Sequence, residues 1–176
     1  GLILDGNRRW AKKQGLDVNK GHMAGYENVR TIMVKLLEVG IKYLSIYALS
    51  LDNALKRSKK ELEYIYKILA IAVDTIKNEP IVKDEKVRFN VIGRIHLLPD
   101  KVRKKINELI DYTQDYDGAF VNVCIMYDGQ AEIVDAVKEI IHCGIKAEEI
   151  NVNTFKNHLY TRDFPEVDFL VRTGME

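Results

Sequence analysis

Cysteine is scarce in this sequence: Cys124 and Cys143 are its only two. They cannot build a disulfide framework or a four-cysteine zinc site, and a reducing compartment is expected. Cys124 sits within the apolar run "FVNVCIMY" and reads as a core residue. The histidines His22, His96, His142 and His158 are scattered, with no Cys or Glu at metal-ligand spacing. Long apolar runs are missing too. Uncharged stretches such as Ile68 to Val73 fall far short of the ~20 residues of a spanning helix. No signal-peptide pattern opens the chain, so a cytoplasmic location is expected. Nor does one sign of charge prevail: Lys and Arg number 27 against 26 Asp and Glu, for a net charge of +1. No nucleic-acid partner is implied, and any basic site has to be local. No internal repeat, low-complexity segment or linker is present, so residues 1–176 read as one domain.

What is present alternates. Strand-type runs stand at 2–5, 43–50, 87–93, 121–127 and 168–173, rich in Val, Ile, Leu, Tyr and Phe and largely apolar on both faces. Helical spacing fills about 23–40, 59–77, 99–114, 129–143 and 153–160. Val29, Ile32, Met33, Leu36 and Leu37 form one stripe, with Gly40 placed to end that helix. Pro99 stands near a helix start, and Asn153 or Thr154 is a candidate cap. The tract from Asp74 to Phe89 carries Pro80 and many charges and reads as a helix end plus an exposed connection. The alternation predicts an α/β fold: a mostly parallel central sheet with helices on both faces.

Open parallel sheets bind ligands beyond the carboxyl ends of their strands. Beyond the first strand come Asp5, Gly6, Asn7, Arg8 and Arg9; beyond the second, Ser50, Asp52 and Asn53, then Lys56 and Arg57. Gly93 and Arg94 follow the third, Tyr127 and Asp128 the fourth, and Arg172, Thr173 and Gly174 close the last. A carboxylate ending an apolar strand is costly unless charge meets it. One early carboxylate among several cations suits Mg²⁺ and phosphate groups. Asp5 would hold the ion through one oxygen, with phosphate and water completing its shell. The turn 6–9 would cradle phosphate with backbone N–H groups, while Arg9 and Arg172 offer planar forks. Gly21 and His22 fall near a predicted helix start, a ready anion site. Asp5-Gly6 also reads as a plain turn, and Lys12-Lys13 as a solvated face.

In order along the chain, "LDGNRRWAKKQG", "GHMAGY", "IYALSLDNALKRSKKEL", "VIGRIHLLP", "VNVCIMYDGQAEIVDAV" and "VDFLVRTGME" closely resemble the cis-prenyltransferase family, the undecaprenyl and dehydrodolichyl diphosphate synthases. The resemblance covers essentially the whole chain. It implies Mg²⁺-dependent, successive addition of isopentenyl diphosphate to an allylic diphosphate such as farnesyl diphosphate. The implied product is a long-chain polyprenyl diphosphate, for a dolichol-type glycosyl carrier lipid. Carried over by position, Asp5 is the essential metal-diphosphate carboxylate. Gly6, Asn7, Arg8, Arg9 and His22 hold the allylic diphosphate, with Trp10 beside them. Ser50, Asp52 and Asn53 match a Ser-x-Glu-Asn stretch in which the Asn assists proton removal. Arg57 matches the basic residue after that stretch, and Arg172 an isopentenyl diphosphate contact. An amide is a weak base, so the departing diphosphate is expected to take the proton while Asn53 positions it.

The resemblance further implies an apolar tunnel for the growing chain, although the Leu, Ile and Val runs by themselves read first as ordinary core. It implies a homodimer or a heterodimer with a related subunit, and peripheral association with the cytosolic face of a membrane (the endoplasmic reticulum in a eukaryote). Some positions depart from the family pattern. Val18 replaces an arginine, Leu49 a phenylalanine, Asp52 a glutamate and Ala54 an aromatic residue, and Met175 stands where the last motif has glycine. The family domain continues past the last motif, so its C-terminal part is expected to be missing here. Two other readings are weaker. A non-catalytic partner subunit would lack the first-strand aspartate and the "GNRR" site. An aspartyl-nucleophile phosphohydrolase would want a second carboxylate where Asn7 stands.

Overall fold

The structure, a computed structural model, describes residues 1–174. Met175, and with it the last departure from the family pattern, lies outside them. The chain runs β1 (Leu2–Ile3), α1 (Asn7–Lys13), α2 (Val18–Glu38), β2 (Tyr43–Ser50), α3 (Leu51–Lys56), α4 (Lys59–Lys77) and α5 (Pro80–Asp84). It continues through β3 (Val87–Ile92), α6 (Asp100–Thr113), β4 (Ala119–Tyr127), α7 (Gly129–His142) and α8 (Val152–Lys156) to β5 (Val171–Arg172). The five strands form one parallel sheet in the order β3-β4-β2-β1-β5, flanked by helices as the alternation predicts. The main core lies between β2, β3 and β4 and the helices α2, α4 and α6: Leu44, Ile46, Phe89 and Val121 meet Met33, Ile65, Val73 and Ile106. Among the described residues, no helix is long and apolar enough to cross a membrane.

Several boundaries differ from the sequence pattern, each for a local reason. β1 and β5 are only two residues long, because their ladder gives way to side-chain bonds. The Asp5 N–H donates across the strands to Thr173 Oγ1 at 3.1 Å and locally to Ile3 O at 3.0 Å, not to a carbonyl of β5. Helix α2 starts at Val18, five residues early, because the Asp17 carboxylate accepts from the Asn19 N–H at 2.9 Å. The short helices α1, α3 and α5 went unpredicted, being too brief for a periodic stripe. Pro80 opens α5, whose Val82 is fully buried, so the charged tract is only partly an exposed connection. The cap of α8 is Asn151, which accepts from both Asn153 and Thr154 N–H groups.

The order of strands also decides which ends converge. β1 lies between β2 and β5, with Ile3 opposite Tyr47 on one side and Arg172 on the other. The ends of β3 and β4 belong to a different cluster. Arg94 makes two bonds to Asp135, at 2.9 and 2.8 Å, and Tyr160 donates to the same carboxylate. Tyr127 donates to buried Glu132, which also accepts from Thr161 N–H at 3.2 Å. This cluster fastens the segment around Tyr160 to α7, and the chain leaves it toward β5.

One buried hydroxyl ties α6 to the wall of the core. Thr113 Oγ1 accepts from the Phe89 N–H and donates to Leu109 O, each at 3.0 Å. Thr113→Val orphans that N–H, so urea unfolding is expected to show a loss of about 1–3 kcal/mol, and no loss would remove the tie from the account.

Candidate active site

Between the sheet and helices α1, α2 and α4 lies a cavity of about 1210 Å³. Its mouth is polar and its interior apolar. Asp5, Gly6, Asn7, Arg8 and Arg9 reach it from β1 and α1, His22 from α2, Ser50, Asn53 and Arg57 from the region after β2, and Arg172 from β5. Deeper in, Val29 and Met33 of α2 face Ile68, Leu69 and Ile76 of α4, with Phe89 from the sheet. Residues that the sequence presents as ordinary core therefore also line a channel.

The first-strand carboxylate is met from both sides. Asp5 Oδ2 accepts from Arg172 Nη2 at 2.8 Å and Nε at 3.1 Å, and from Arg9 Nη2 at 3.2 Å. Oδ1 accepts from the Gly6 N–H at 2.6 Å. The Arg172 guanidinium, above all, holds the Asp5 carboxyl below the usual carboxylate range; partial burial opposes it, and Gly6 and Arg9 add to the lowering. Arg172 arrives because β5 pairs with β1 in register, and the Thr173 hydroxyl secures the crossing by donating to Asp5 O at 2.6 Å.

Gly6 has φ of +94°, a conformation that costs a side chain dearly, and it starts α1 directly at Asn7. The expected phosphate-cradling turn 6–9 is thus a helix start, closed by the Trp10 N–H to Gly6 O bond of 2.8 Å. Helix α1 then crosses α2 at two glycines. A Cβ on Gly21 would fall 2.4 Å from Asn7 O, and one on Gly25 would fall 2.3 Å from Asn7 Nδ2. The spacing "GHMAG" is therefore a slot for Asn7.

His22 lies inside α2, at its fifth residue, so the expected helix-terminus anion site is not formed there. The ring is buried, and its Nε2 lies 2.9 Å from Glu61 Oε1. Burial pulls the imidazole below its ordinary value of 6.5, against the upward pull of Glu61 and with a further lowering from Arg57 and Arg8. Glu61, which the sequence reading passed over, is the centre of a second charge cluster; Arg8 Nε stands 3.6 Å and Arg57 Nε 3.7 Å from the same oxygen. The available signal was Ser58-Lys59-Lys60-Glu61, a capping-box pattern.

Two expected site residues stay outside. Trp10 is 46% exposed and does not line the cavity. Asp52 turns to solvent and pairs with Lys56 at 2.8 Å, one helical turn along α3. Helix α3 rotates it away because Ser50, as cap, accepts from the Asn53 N–H at 3.0 Å and keeps Ser50 and Asn53 at the mouth instead. Val18 lines the mouth without charge, and Lys12 joins the arginines there.

The donor set suits one kind of metal. Among the described residues, no three His, Cys, Asp or Glu side chains gather to hold an ion. Asp5 is the carboxylate set among the arginines Arg9 and Arg172, while Asp17, which also lines the cavity, caps α2 by accepting from the Asn19 N–H. A single carboxylate of this kind fits Mg²⁺, since that ion takes its other ligands from phosphates and water. It does not fit zinc.

The family model described as undecaprenyl diphosphate synthase, a prenyltransferase model, matches residues 3–176. The chain belongs to this family. It is similar to the tritrans,polycis-undecaprenyl-diphosphate synthase (geranylgeranyl-diphosphate specific) of Methanopyrus kandleri, with 34% identity over 100% of this chain and 66% of that protein. It is 40% identical to the isoprenyl transferase of Fusobacterium nucleatum, over 99% of this chain and 74% of that one. Among solved structures it resembles lavandulyl diphosphate synthase from Lavandula x intermedia in complex with dimethylallyl diphosphate. The TM-score is 0.90 and the identity 31%, over 97% of this chain and 75% of that one. The sheet and its flanking helices are thus the prenyltransferase fold that the sequence resemblance implies.

The buried His22 gives a signed pH dependence. Its folded pKa is lowered, so the unfolded chain binds the proton first and stability is lost as pH falls through the ordinary histidine value. Urea unfolding of wild type and His22→Gln at about pH 7.5 and about pH 5.5 is expected to show a gap that narrows at the lower pH. A gap that widens would mean that His22 is charged in the fold.

Proposed function

We propose that this chain carries out cis-prenyl transfer: Mg²⁺-dependent, successive condensation of isopentenyl diphosphate onto an allylic diphosphate of farnesyl or geranylgeranyl type. One observation carries the reading. A single cavity joins a mainly cationic mouth, with the Asp5 carboxylate among its arginines, to an apolar interior. A diphosphate with a prenyl tail has that same division. At about 1210 Å³ the cavity exceeds the roughly 300–1,000 Å³ of a drug-sized site, which supports a product longer than one condensation gives.

Each residue then has a task. Asp5 would hold Mg²⁺, which when bound supplies neutralising charge to the diphosphate. Arg8, Arg9 and His22 bind the allylic diphosphate, with Gly6 and Asn7 shaping the strand-to-helix start beneath it. Arg172, Arg57 and Ser50 take the diphosphate of the second substrate. As the allylic C–O bond breaks, the terminal carbon of isopentenyl diphosphate bonds to the allylic carbon. That leaves the positive charge on C3 of isopentenyl diphosphate; the proton lost from C2, which forms the new C2=C3 double bond, passes to the departing diphosphate, and Asn53 orients that oxygen. The apolar wall excludes water, so the allylic cation meets carbon rather than hydroxide. The carrier lipid we propose is of dolichol type. The active form is a homodimer or a heterodimer with a related subunit, at the cytosolic face of a membrane.

The test is incorporation of labelled isopentenyl diphosphate into butanol-extractable lipid, with each allylic primer, with and without Mg²⁺. Metal-dependent product is expected, and its length reports on the carrier. Asp5→Ala is expected to lower turnover at least a hundredfold or so, on the scale of lost transition-state charge stabilisation. Asn53→Ala should lose at least about tenfold, one step of transition-state arithmetic. Product that survives Asp5→Ala, or silence even with a related partner chain, overturns the reading.

A further inference from the structure

Glu61 has no task in the scheme above, and its surroundings are unusual for a glutamate at that place. It stands in the first turn of α4, where Ser58 Oγ accepts the Glu61 N–H at 3.3 Å. A glutamate three residues after such a cap ordinarily returns a bond to the cap residue's own N–H. Here the carboxylate is turned inward instead, only 12% exposed, to His22. One oxygen, Oε1, serves the whole cluster: Nε2 of His22 at 2.9 Å, Nε of Arg8 at 3.6 Å and Nε of Arg57 at 3.7 Å. These groups come from α2, from α1 and from the turn between α3 and α4. At 3.7 Å the Arg57 contact is an ion pair and not a hydrogen bond, and Arg57 Nε is buried without a hydrogen-bond partner. Two guanidinium groups and an imidazole repel or evade one another unless an anion sits among them. All three partners line the cavity mouth.

We infer that Glu61 is a positioning residue for the diphosphate site: its carboxylate holds the His22 ring by Nε2–H and keeps Arg8 and Arg57 side by side, so that an incoming diphosphate meets an assembled cluster. The inference deepens the prenyl-transfer reading and rests on it. Preorganisation of this kind raises affinity by removing the cost of ordering the charges at the moment of binding. The neutral ring bonded through Nε2–H leaves Nδ1 bare, which makes the tautomer a direct report on the Glu61 contact.

Two measurements on the full chain separate this inference from the reading beneath it. Nitrogen NMR of the His22 ring without ligand is expected to show the Nε2–H tautomer in wild type and a mixed or inverted population in Glu61→Ala. An Nδ1–H ring in wild type overturns the inference whatever the variants do. Calorimetric titration with inorganic pyrophosphate at fixed ionic strength is expected to show binding to wild type and about tenfold weaker binding to Glu61→Gln, the loss of one ionic contact. Ser58→Ala removes the helix cap and leaves the carboxylate in place, so it is expected to unfold at lower temperature yet bind pyrophosphate within about twofold of wild type. Equal or tighter binding by Glu61→Gln overturns the positioning role, as does a Ser58→Ala loss that matches it. Wild type that holds the Nε2–H tautomer but binds no pyrophosphate overturns the prenyl-transfer reading, and the positioning role falls with it.

Discussion

A carboxylate at the end of a short apolar strand is the constraint on which the rest of this molecule depends. Asp5 has to be met by cations, and the fold brings them from opposite ends of the chain: Arg9 one helical turn ahead and Arg172 from the neighbouring strand. Neither contact is buried deeply enough to be stabilising on a large scale, since exposed ion pairs contribute little. Their value is in placement. They keep an ionised oxygen at the mouth of the cavity, where, under the proposed function, a metal-bound diphosphate would exchange for an arginine without stranding any charge.

The remainder of the site is a problem of fitting two opposed chemistries into one cleft. Charged groups are gathered at strand ends and at the starts of α1 and α4, where backbone polarity and solvent are at hand. The apolar faces of α2 and α4 diverge just enough to leave a channel above the sheet. Close approach of α1 to α2, made at Gly21 and Gly25, is what lets Asn7 lie flat and brings Arg8 within reach of Glu61. Two clusters result, one around Asp5 and one around Glu61, and each contains an acid facing several bases.

Much of this was legible in the residues. Strands at 43–50, 87–93 and 121–127 announce themselves through β-branched and aromatic content, and helices at 59–77, 99–114 and 129–143 through long apolar stripes. Asp5, Arg9 and Arg172 were also readable, because strand-end chemistry in a parallel sheet has a fixed place. What escaped depended on rotation and on short range. Helices of five to seven residues carry too few turns to show a period. Asp52 and Trp10 are one or two positions from residues that do face the cavity, and only the phase of a short helix decides which way each turns. Glu61 was hidden by a pattern that explained it too well: a glutamate in a capping box needs no other reason to be there. Arg94 and Tyr127 follow strands as site residues do, but their side chains turn to Asp135 and Glu132 of α7 instead of to the cavity.

The two-residue ladder between β1 and β5 has a kinetic meaning. Arg172 and Asp5 are 167 residues apart in sequence, yet the ladder that carries their contact has only two pairs of register partners, Leu2 with Val171 and Ile3 with Arg172. Contacts of such sequence separation are slow to close. The channel, built from α2, β2, α4 and β3, has no need of that closure and is free to form first. The topology thus lets the groove be complete before the Asp5 cluster is. Completion of the Asp5 cluster is tied to the pairing of β5 with β1, so the site reports that this distant strand has reached its place.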